Sequence, residues 1–475
     1  MRFEELAAEQ ARAARMMTTG GDARIVLDPK RDQNRYYSAP FPQDALAYAS
    51  STANDISADA FAHVSGLPEQ DYAEGLEALR RRIRAAYSVP DDVAIVFAPS
   101  GTDLEYVALA CAHDRAERLH NVLLGADEVG SGCIHSAHGR FFATETALDA
   151  NVAPGEPVPG LGERVTIEDV PVRDTLGHAF TSVAIRDRIE QGIDGAGEAH
   201  ALIHVVHGSK TGLILPLLDD IDGLVARHGD RMTLVVDACQ ARITSAAIGD
   251  YLKRDAIVFV TGSKFMGGPP FSGFALVPRA LAARAPKLPE GLAAVFRRAE
   301  WPAGWPGAEA LEDSANPGLL LRLEASVFEL ERFQLLSLKR VTRVILAFHA
   351  AVRAAMVERL GGRRMAPYPP GQRAEGDAHP IEMRTLSTID LSRRAGRPDF
   401  DDAVRLHKAL VERGIRLGQP VKCVRLEDGR WGATLRLGLS MPQVVAFDWL
   451  DDAMLEAKLA ADMDRIAGAI EELSP

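Results

Sequence analysis

Cysteine is scarce in this sequence. Its four cysteines, Cys111, Cys133, Cys239 and Cys423, are scattered over 475 residues with no Cys-x-x-Cys pair, which excludes a disulfide framework and a zinc ribbon and suits a reducing cytoplasm. Basic excess is missing too. Lys plus Arg number 54 against 66 for Asp plus Glu, a formal charge of -12 that repels phosphate backbones and anionic lipid, so neither nucleic acid nor a membrane is expected as a partner. No apolar run approaches the ~18–20 residues that span a bilayer. Met1 to Met17 carries Glu4, Glu5 and Glu9 where a secretory leader needs basic residues and then an apolar block. The expectation is a soluble, cytoplasmic protein. Internal repeats and low-complexity linkers are absent, as are the motifs Gly-x4-Gly-Lys-Ser/Thr, His-Glu-x-x-His, Gly-x-Ser-x-Gly and Gly-x-Gly-x-x-Gly.

What is present is the composition of a folded enzyme, 47% hydrophobic and 25% charged, on a chain long enough for two or three domains. Thr18 to Ala47 shows no sustained period and is expected to be irregular, and within it the polar and aromatic stretch from Gly20–Arg24 to Asn34–Tyr37 is expected to lid a site, reach a partner subunit or form an exposed arm. A helix is expected over Gly75 to Tyr87. Buried-type strands are expected at Val93–Ala98, Asn121–Leu124, Ala201–Val206, Met232–Val236, Ala256–Val260 and Gly273–Val277, several of them separated by helices. Apolar strands alternating with helices predict an α/β fold, a mostly parallel sheet covered by helices on both faces. Loops are expected at Val152–Gly162, Trp301–Gly307 and Ala366–Pro380. After a helical tract over Leu319–Leu360, strands at Thr385–Leu391, Val421–Leu426 and Ala433–Leu439 and helices at Phe400–Arg413 and Phe447–Leu473 predict a smaller α+β lobe. The expected division is an N-terminal arm and lead-in (1–90), a large α/β domain (91–325) and a small C-terminal domain (326–475).

The chemistry concentrates at two strand ends. Val235-Val236-Asp237-Ala238-Cys239-Gln240 puts an acid at the end of one strand, and Thr261-Gly262-Ser263-Lys264 puts a lysine just past the next. Both then face the crevice outside the carboxyl ends of the sheet, where open α/β folds bind ligands. An acid and a lysine act jointly in pyridoxal-phosphate chemistry, the amine forming a Schiff base and the acid keeping the pyridine nitrogen protonated. Taken singly, each has a plain reading as a core-edge aspartate or a solvated lysine. Ser100-Gly101-Thr102 lies between a strand and a helix, where free backbone N–H groups and the helix dipole suit a phosphate, though an ordinary helix cap fits too. Thr261 and Ser263 add hydroxyls at the same end of the sheet.

From Val93 to Val327 the sequence resembles the fold type I pyridoxal-phosphate enzymes, in particular the class V aminotransferase group that includes cysteine desulfurases and kynureninases. The resemblance rests on Asp237-x-x-Gln240, on Ser263-Lys264 followed by Gly267-Gly268-Pro269-Pro270, and on Gly101-Thr102. It implies pyridoxal 5'-phosphate as cofactor, with Lys264 as its Schiff-base lysine, Asp237 at the pyridine nitrogen and Gln240 at the ring hydroxyl. Ser100, Gly101, Thr102, Thr261 and Ser263 would serve the phosphate. His207, in His207-Gly208-Ser209-Lys210-Thr211-Gly212, would line the site or merely finish a strand. Asn316, in Ala315-Asn316-Pro317-Gly318, would reach the phosphate of a neighbouring subunit in a homodimer. Arg436, in Thr434-Leu435-Arg436-Leu437, would clamp the substrate α-carboxylate, with Leu435 and Leu437 facing the core.

The family often stacks an aromatic ring or a histidine on the cofactor from the stretch after the second strand; here Asp127-Glu128-Val129-Gly130-Ser131-Gly132 occupies it, and the nearest histidines are His135 and His138. Cys133, His135 and His138 are expected to be a helix carrying two buried histidines, with no metal. The expected activity is amino-group transfer on an amino-acid-like substrate. Cleavage of a C–S or C–C bond, elimination or decarboxylation on the same fold is the alternative, and a non-catalytic binding subunit the remote one. A desulfurase would need a mobile nucleophilic cysteine, and Cys423 precedes Arg436 by about the family's spacing, but its apolar neighbours favour a structural role.

Overall fold

The computed structural model describes all residues except 1, 50, 127, 131, 370–383 and 474–475. Its thirteen named strands are β1 (Leu46–Tyr48), β2 (Ala94–Ala98), β3 (Leu119–Leu124), β4 (Val165–Val170), β5 (His200–His207), β6 (Ile214–Leu215), β7 (Met232–Asp237), β8 (Ile257–Thr261), β9 (Gly273–Val277), β10 (Arg363–Arg364), β11 (Leu386–Asp390), β12 (Ile415–Leu417) and β13 (Thr434–Gly438).

The main sheet runs β2-β9-β8-β7-β5-β3-β4, with the short β6 paired to β5. The steps from β8 through β7, β5 and β3 to β4 are all parallel, while β9 runs antiparallel to both of its neighbours. The mostly parallel sheet is therefore as the apolar runs predicted. Every residue of β5, β8 and β9 is buried, the signature of strands covered on both sides. Alternation divides the faces. Val96, Ala98, Val235, Phe259 and Ala275 pack with helix Leu104–Ala112. Ile95, Phe97, Val236, Val258 and Val260 belong to the opposite core, with helices Tyr72–Tyr87, Ser182–Gly195, Leu218–His228 and Ser245–Leu252.

Helices Pro317–Gln334 and Leu338–Val352 lead to a small antiparallel sheet, β10-β11-β13, packed with helices Phe400–Glu412 and Asp452–Leu473. The lead-in segment joins this end of the chain, because β1 pairs in parallel with β12. Among the described residues no helix is long and apolar enough to cross a membrane.

One expected strand fails. Val421–Leu426 is irregular apart from a bridge between Arg425 and Trp431. The Thr434 hydroxyl both donates to the Val421 carbonyl (2.6 Å) and accepts from its N–H (3.0 Å), so a side chain satisfies backbone groups that a ladder would otherwise pair. Edge strand β4 was missed because Val-Thr-Ile-Glu-Asp-Val is largely polar, and only its end residues are buried.

Candidate functional site

The parallel strands β2, β3, β5, β7 and β8 all end on one side of the sheet, and the loops leaving them enclose a cleft of about 180 Å³. A larger depression, an open arginine-rich basin of about 700 Å³ beside Arg393 and Arg430, is lined by no lysine.

Asp237 ends β7 half-buried, its carboxylate accepting the Cys239 N–H at 2.9 Å. Lys264 follows β8 by three residues, and its backbone is fixed on two sides. Asn54 donates to the Lys264 carbonyl at 2.9 Å, and the next residue, Phe265, donates to the Gln240 carbonyl at 3.2 Å. The Thr261 hydroxyl donates to the Cys239 carbonyl at 2.6 Å and ties the two strand-end loops together. Asp237, Gln240, Thr261, Ser263 and Lys264 all line the cleft, as the sequence placed them. The Gln240 side-chain carbonyl accepts from Arg242 at 2.9 Å.

Ser100, Gly101 and Thr102 form a second wall, ahead of helix Leu104–Ala112. A Cβ at position 101 would stand 2.7 Å from the Thr261 methyl, so only glycine lets this loop close over the end of β8. Ser100 donates to Asp103 at 2.6 Å. Arg24 donates to Ser100 at 3.0 Å and Thr102 at 3.3 Å, is held by Asp22 at 2.6–3.0 Å, and lies over the rings of Phe142 and Phe271. Burial opposes its charge, but the Asp22 hydrogen bonds and charge outweigh that and hold it above the usual arginine range. Burial, reinforced by Asp22, pushes the Asp103 carboxyl up to about 7.

The third wall comes from the small domain. Arg436 on β13 is 4% exposed, between the buried Leu435 and Leu437. Its Nε donates to the Gln419 carbonyl (2.7 Å) and its Nη1 to the Lys210 carbonyl (3.1 Å); no carboxylate among the described residues pairs with it. Burial lowers it to about 10.

Neither His207 nor Asn316, the latter expected to serve a neighbouring subunit, lines this cleft. His207 turns away to meet the Tyr251 hydroxyl at 3.0 Å and packs edge-on to that ring. Asn316 caps helix Pro317–Gln334 through the Leu319 N–H (3.0 Å) and donates to the Gly20 carbonyl (2.9 Å), so its amide serves its own chain. The expected pair of buried histidines is also corrected: His135 is exposed and His138 half-buried, because the short helix Cys133–Ala137 turns its Cys133 side to the cleft. Among the described residues no group of three or more His, Cys, Asp or Glu could hold a metal. Where the family carries a stacking ring, the cleft is lined by Val129, Gly130 and Cys133.

Arg24, Tyr36, Lys210 and Gln419 line the cleft without having been singled out as site residues. Lys210 stood inside the His207–Gly212 motif, directly after a strand of the parallel set, and that position was a usable signal. Arg24 and Tyr36 belong to the segment expected to lid a site or reach a partner subunit, but that segment has no period to show which of its side chains face inward.

The residues fit pyridoxal phosphate. The glycine-dependent close approach at Gly101, with adjacent hydroxyls and a helix N-terminus, suits the phosphate, and an acid facing a lysine suits the ring and its aldehyde.

No family model matches the sequence, and no curated protein does either. Solved structures do match. Ureidoglycine-glyoxylate aminotransferase from Bacillus subtilis is 12% identical, with a TM-score of 0.54 over 91% of this chain and 99% of that one. The cysteine desulfurase CsdA from Escherichia coli is 16% identical, with a TM-score of 0.54 over 94% and 98%. Pyridoxamine-pyruvate aminotransferase from Mesorhizobium loti is 16% identical, with a TM-score of 0.54 over 92% and 100%. At these identities the likeness establishes the fold. It is fold type I of the pyridoxal-phosphate enzymes, the architecture shared by class V aminotransferases and cysteine desulfurases.

Proposed function

We propose that this protein is a pyridoxal-phosphate-dependent enzyme that transfers the amino group of an amino acid, working as a homodimer. The observation that carries the reading is Lys264 and Asp237 lining one cleft from adjacent parallel strands, with the Ser100–Thr102 loop on one side and Arg436 on the other. When bound, the cofactor supplies an electron-accepting ring that stabilises negative charge at the substrate Cα.

The chain supplies the rest. Ser100, Gly101, Thr102 and Ser263 hold the phosphate through hydroxyls and backbone N–H groups, with Arg24 alongside. Asp237 would accept a hydrogen bond from the pyridine N–H and so keep that nitrogen protonated, and Gln240 would meet the ring hydroxyl. Lys264 would hold the cofactor, and its amine is the group that would move the proton at the substrate Cα. Arg436 takes the α-carboxylate as a planar, bidentate donor.

Thiol chemistry is disfavoured. All four cysteines are buried, and burial pushes Cys111 and Cys423 up to about 12 and raises Cys133 and Cys239 as well, so no thiolate stands ready to accept sulfur. Borohydride reduction of the purified yellow protein followed by peptide mapping tests the lysine, and an adduct on any other lysine contradicts the assignment. A single turnover without acceptor tests the reaction. Transfer leaves the cofactor in its amine form with release of a 2-oxo acid, whereas return of the aldehyde form with a cleaved fragment or carbon dioxide identifies a lyase.

A further inference from the structure

Arg322 does not line the cleft. It lies in helix Pro317–Gln334, fully buried, and its guanidinium ends among backbone carbonyls from two segments far apart in the chain. Nη1 donates to the carbonyls of Met17 (2.8 Å) and Thr19 (2.7 Å), Nη2 to that of Gly20 (3.0 Å) and Nε to that of Phe271 (2.9 Å). A planar fork with fixed donors reaches four carbonyls in this spread, which a single ammonium does not. Burial lowers Arg322 to about 9, with Tyr72, Asp22 and Glu300 opposing. A cation kept in so dry a place is held by the carbonyls it serves.

Both segments lead into the cleft. The first is the N-terminal arm, which delivers Asp22 and Arg24 just past Gly20. It is fitted to the start of the same helix at two further points. A Cβ on Gly318 would overlap the Thr19 carbonyl and stand 2.5 Å from the Met16 carbonyl oxygen, and one on Gly20, whose φ is 63°, would overlap the Asn316 amide. Only glycine at both positions permits that approach. The second segment carries Phe271, whose φ of 70° lies in the left-handed region that a bulky residue keeps only under constraint. The centre of its ring lies 5.2 Å from the guanidinium carbon of Arg24. Arg322 therefore fixes the backbone on both sides of this stacked pair, and Arg24 in turn donates to Ser100 and Thr102.

We infer that Arg322 is a positioning residue for the phosphate side of the cofactor site: it fastens the N-terminal arm and the Phe271 loop to one helix, so that Arg24 is held against the Ser100–Thr102 loop. This rests on the proposed cofactor reading, and the test separates the two. Equilibrium dialysis at pH 7 with pyridoxal 5'-phosphate and, separately, with pyridoxal, which lacks the phosphate, measures binding without turnover. Arg322→Lys is expected to weaken binding of pyridoxal phosphate roughly tenfold and to leave pyridoxal within about twofold, which also shows the variant folded. Gly318→Ala keeps Arg322, suits a helix and crowds the arm away from it; the same selective loss is expected, and it decides the matter if the lysine variant does not fold. Arg24→Gln is expected to weaken pyridoxal phosphate as well, and adding Arg322→Lys to it costs little more, because the two act along one path. Equal loss of both ligands, or losses at Arg322 and Arg24 that multiply in the double variant, overturns the inference. A parent chain that takes up no pyridoxal phosphate overturns the cofactor reading, and this inference with it; a parent that binds it and variants that bind it unchanged overturn this one alone.

Discussion

Arg24 and Arg436 face the same cleft from opposite walls and have opposite electrostatic fates. Arg24 is gripped by Asp22, lies over two aromatic rings and stays above the usual arginine range, whereas Arg436 donates to two carbonyls, pairs with no carboxylate among the described residues and is lowered to about 10 by burial. A guanidinium with its own carboxylate has little charge left for a ligand and acts by holding the Ser100–Thr102 loop. One buried among neutral acceptors lacks a counter-ion, and a ligand that brings one gains the unmet interaction. The difference teaches where the cleft is furnished as structure and where it is left open for substrate.

The variants that test this contrast differ in size of effect. Lys264→Ala removes the amine on which both walls converge and is expected to cost at least about 10²–10⁴-fold in turnover, measured with saturating cofactor. Arg436→Ala is expected to cost roughly a hundredfold in kcat/KM, with Arg436→Lys restoring only part because the planar fork is lost. Arg24→Ala breaks the other wall. It strands the buried Asp22 beside the phosphate loop, so cofactor retention by equilibrium dialysis falls more than substrate affinity, and a second change, Asp22→Asn, recovers part of the loss.

Asp103 gives the same wall a pH signature. Its folded value is raised to about 7 by burial and Asp22, with Arg24 and Ser100 pulling the other way, against an ordinary aspartate value of about 4 in the unfolded chain. Between those values the folded protein keeps a proton that the unfolded chain has released. Stability from this group is therefore full below about pH 4 and lost as pH rises toward 7. Urea unfolding at pH 5 and pH 8 should show Asp103→Asn with a smaller pH difference than the parent. The smallest effect is expected of Asn316→Ala. Loss of the cap costs about 1 kcal/mol and removes one of two donors to the Gly20 carbonyl, Arg322 remaining as the other, which a modest fall in Tm checks without loss of covalent cofactor.

Legibility in the sequence followed regularity of the backbone. β7 and β8 announce themselves as apolar runs, and a residue at the end of a buried parallel strand has only one place to point, so Asp237, Thr261, Ser263 and Lys264 were placed before any coordinates. Arg436 followed from the family resemblance, with the alternation of Leu435 and Leu437 around it turning its side chain away from the core. His207 failed the same logic because the strand end alone does not say whether the last side chain turns to the ligand or to a neighbouring helix, and Tyr251 took it.

The sequence by itself determined the parallel sheet, the acid and lysine at its carboxyl edge, and the absence of metal-site spacing, since these depend on short-range periodicity and on which residue types can do the chemistry. Tertiary structure alone decided that Arg24, from a segment without period, reaches Ser100 and Thr102 seventy-six and seventy-eight residues on, and that Lys210 is carried to Arg436 across 226 residues. Contacts at such separations are set by how packed layers close over one another, and a linear pattern holds no record of which loop will face which.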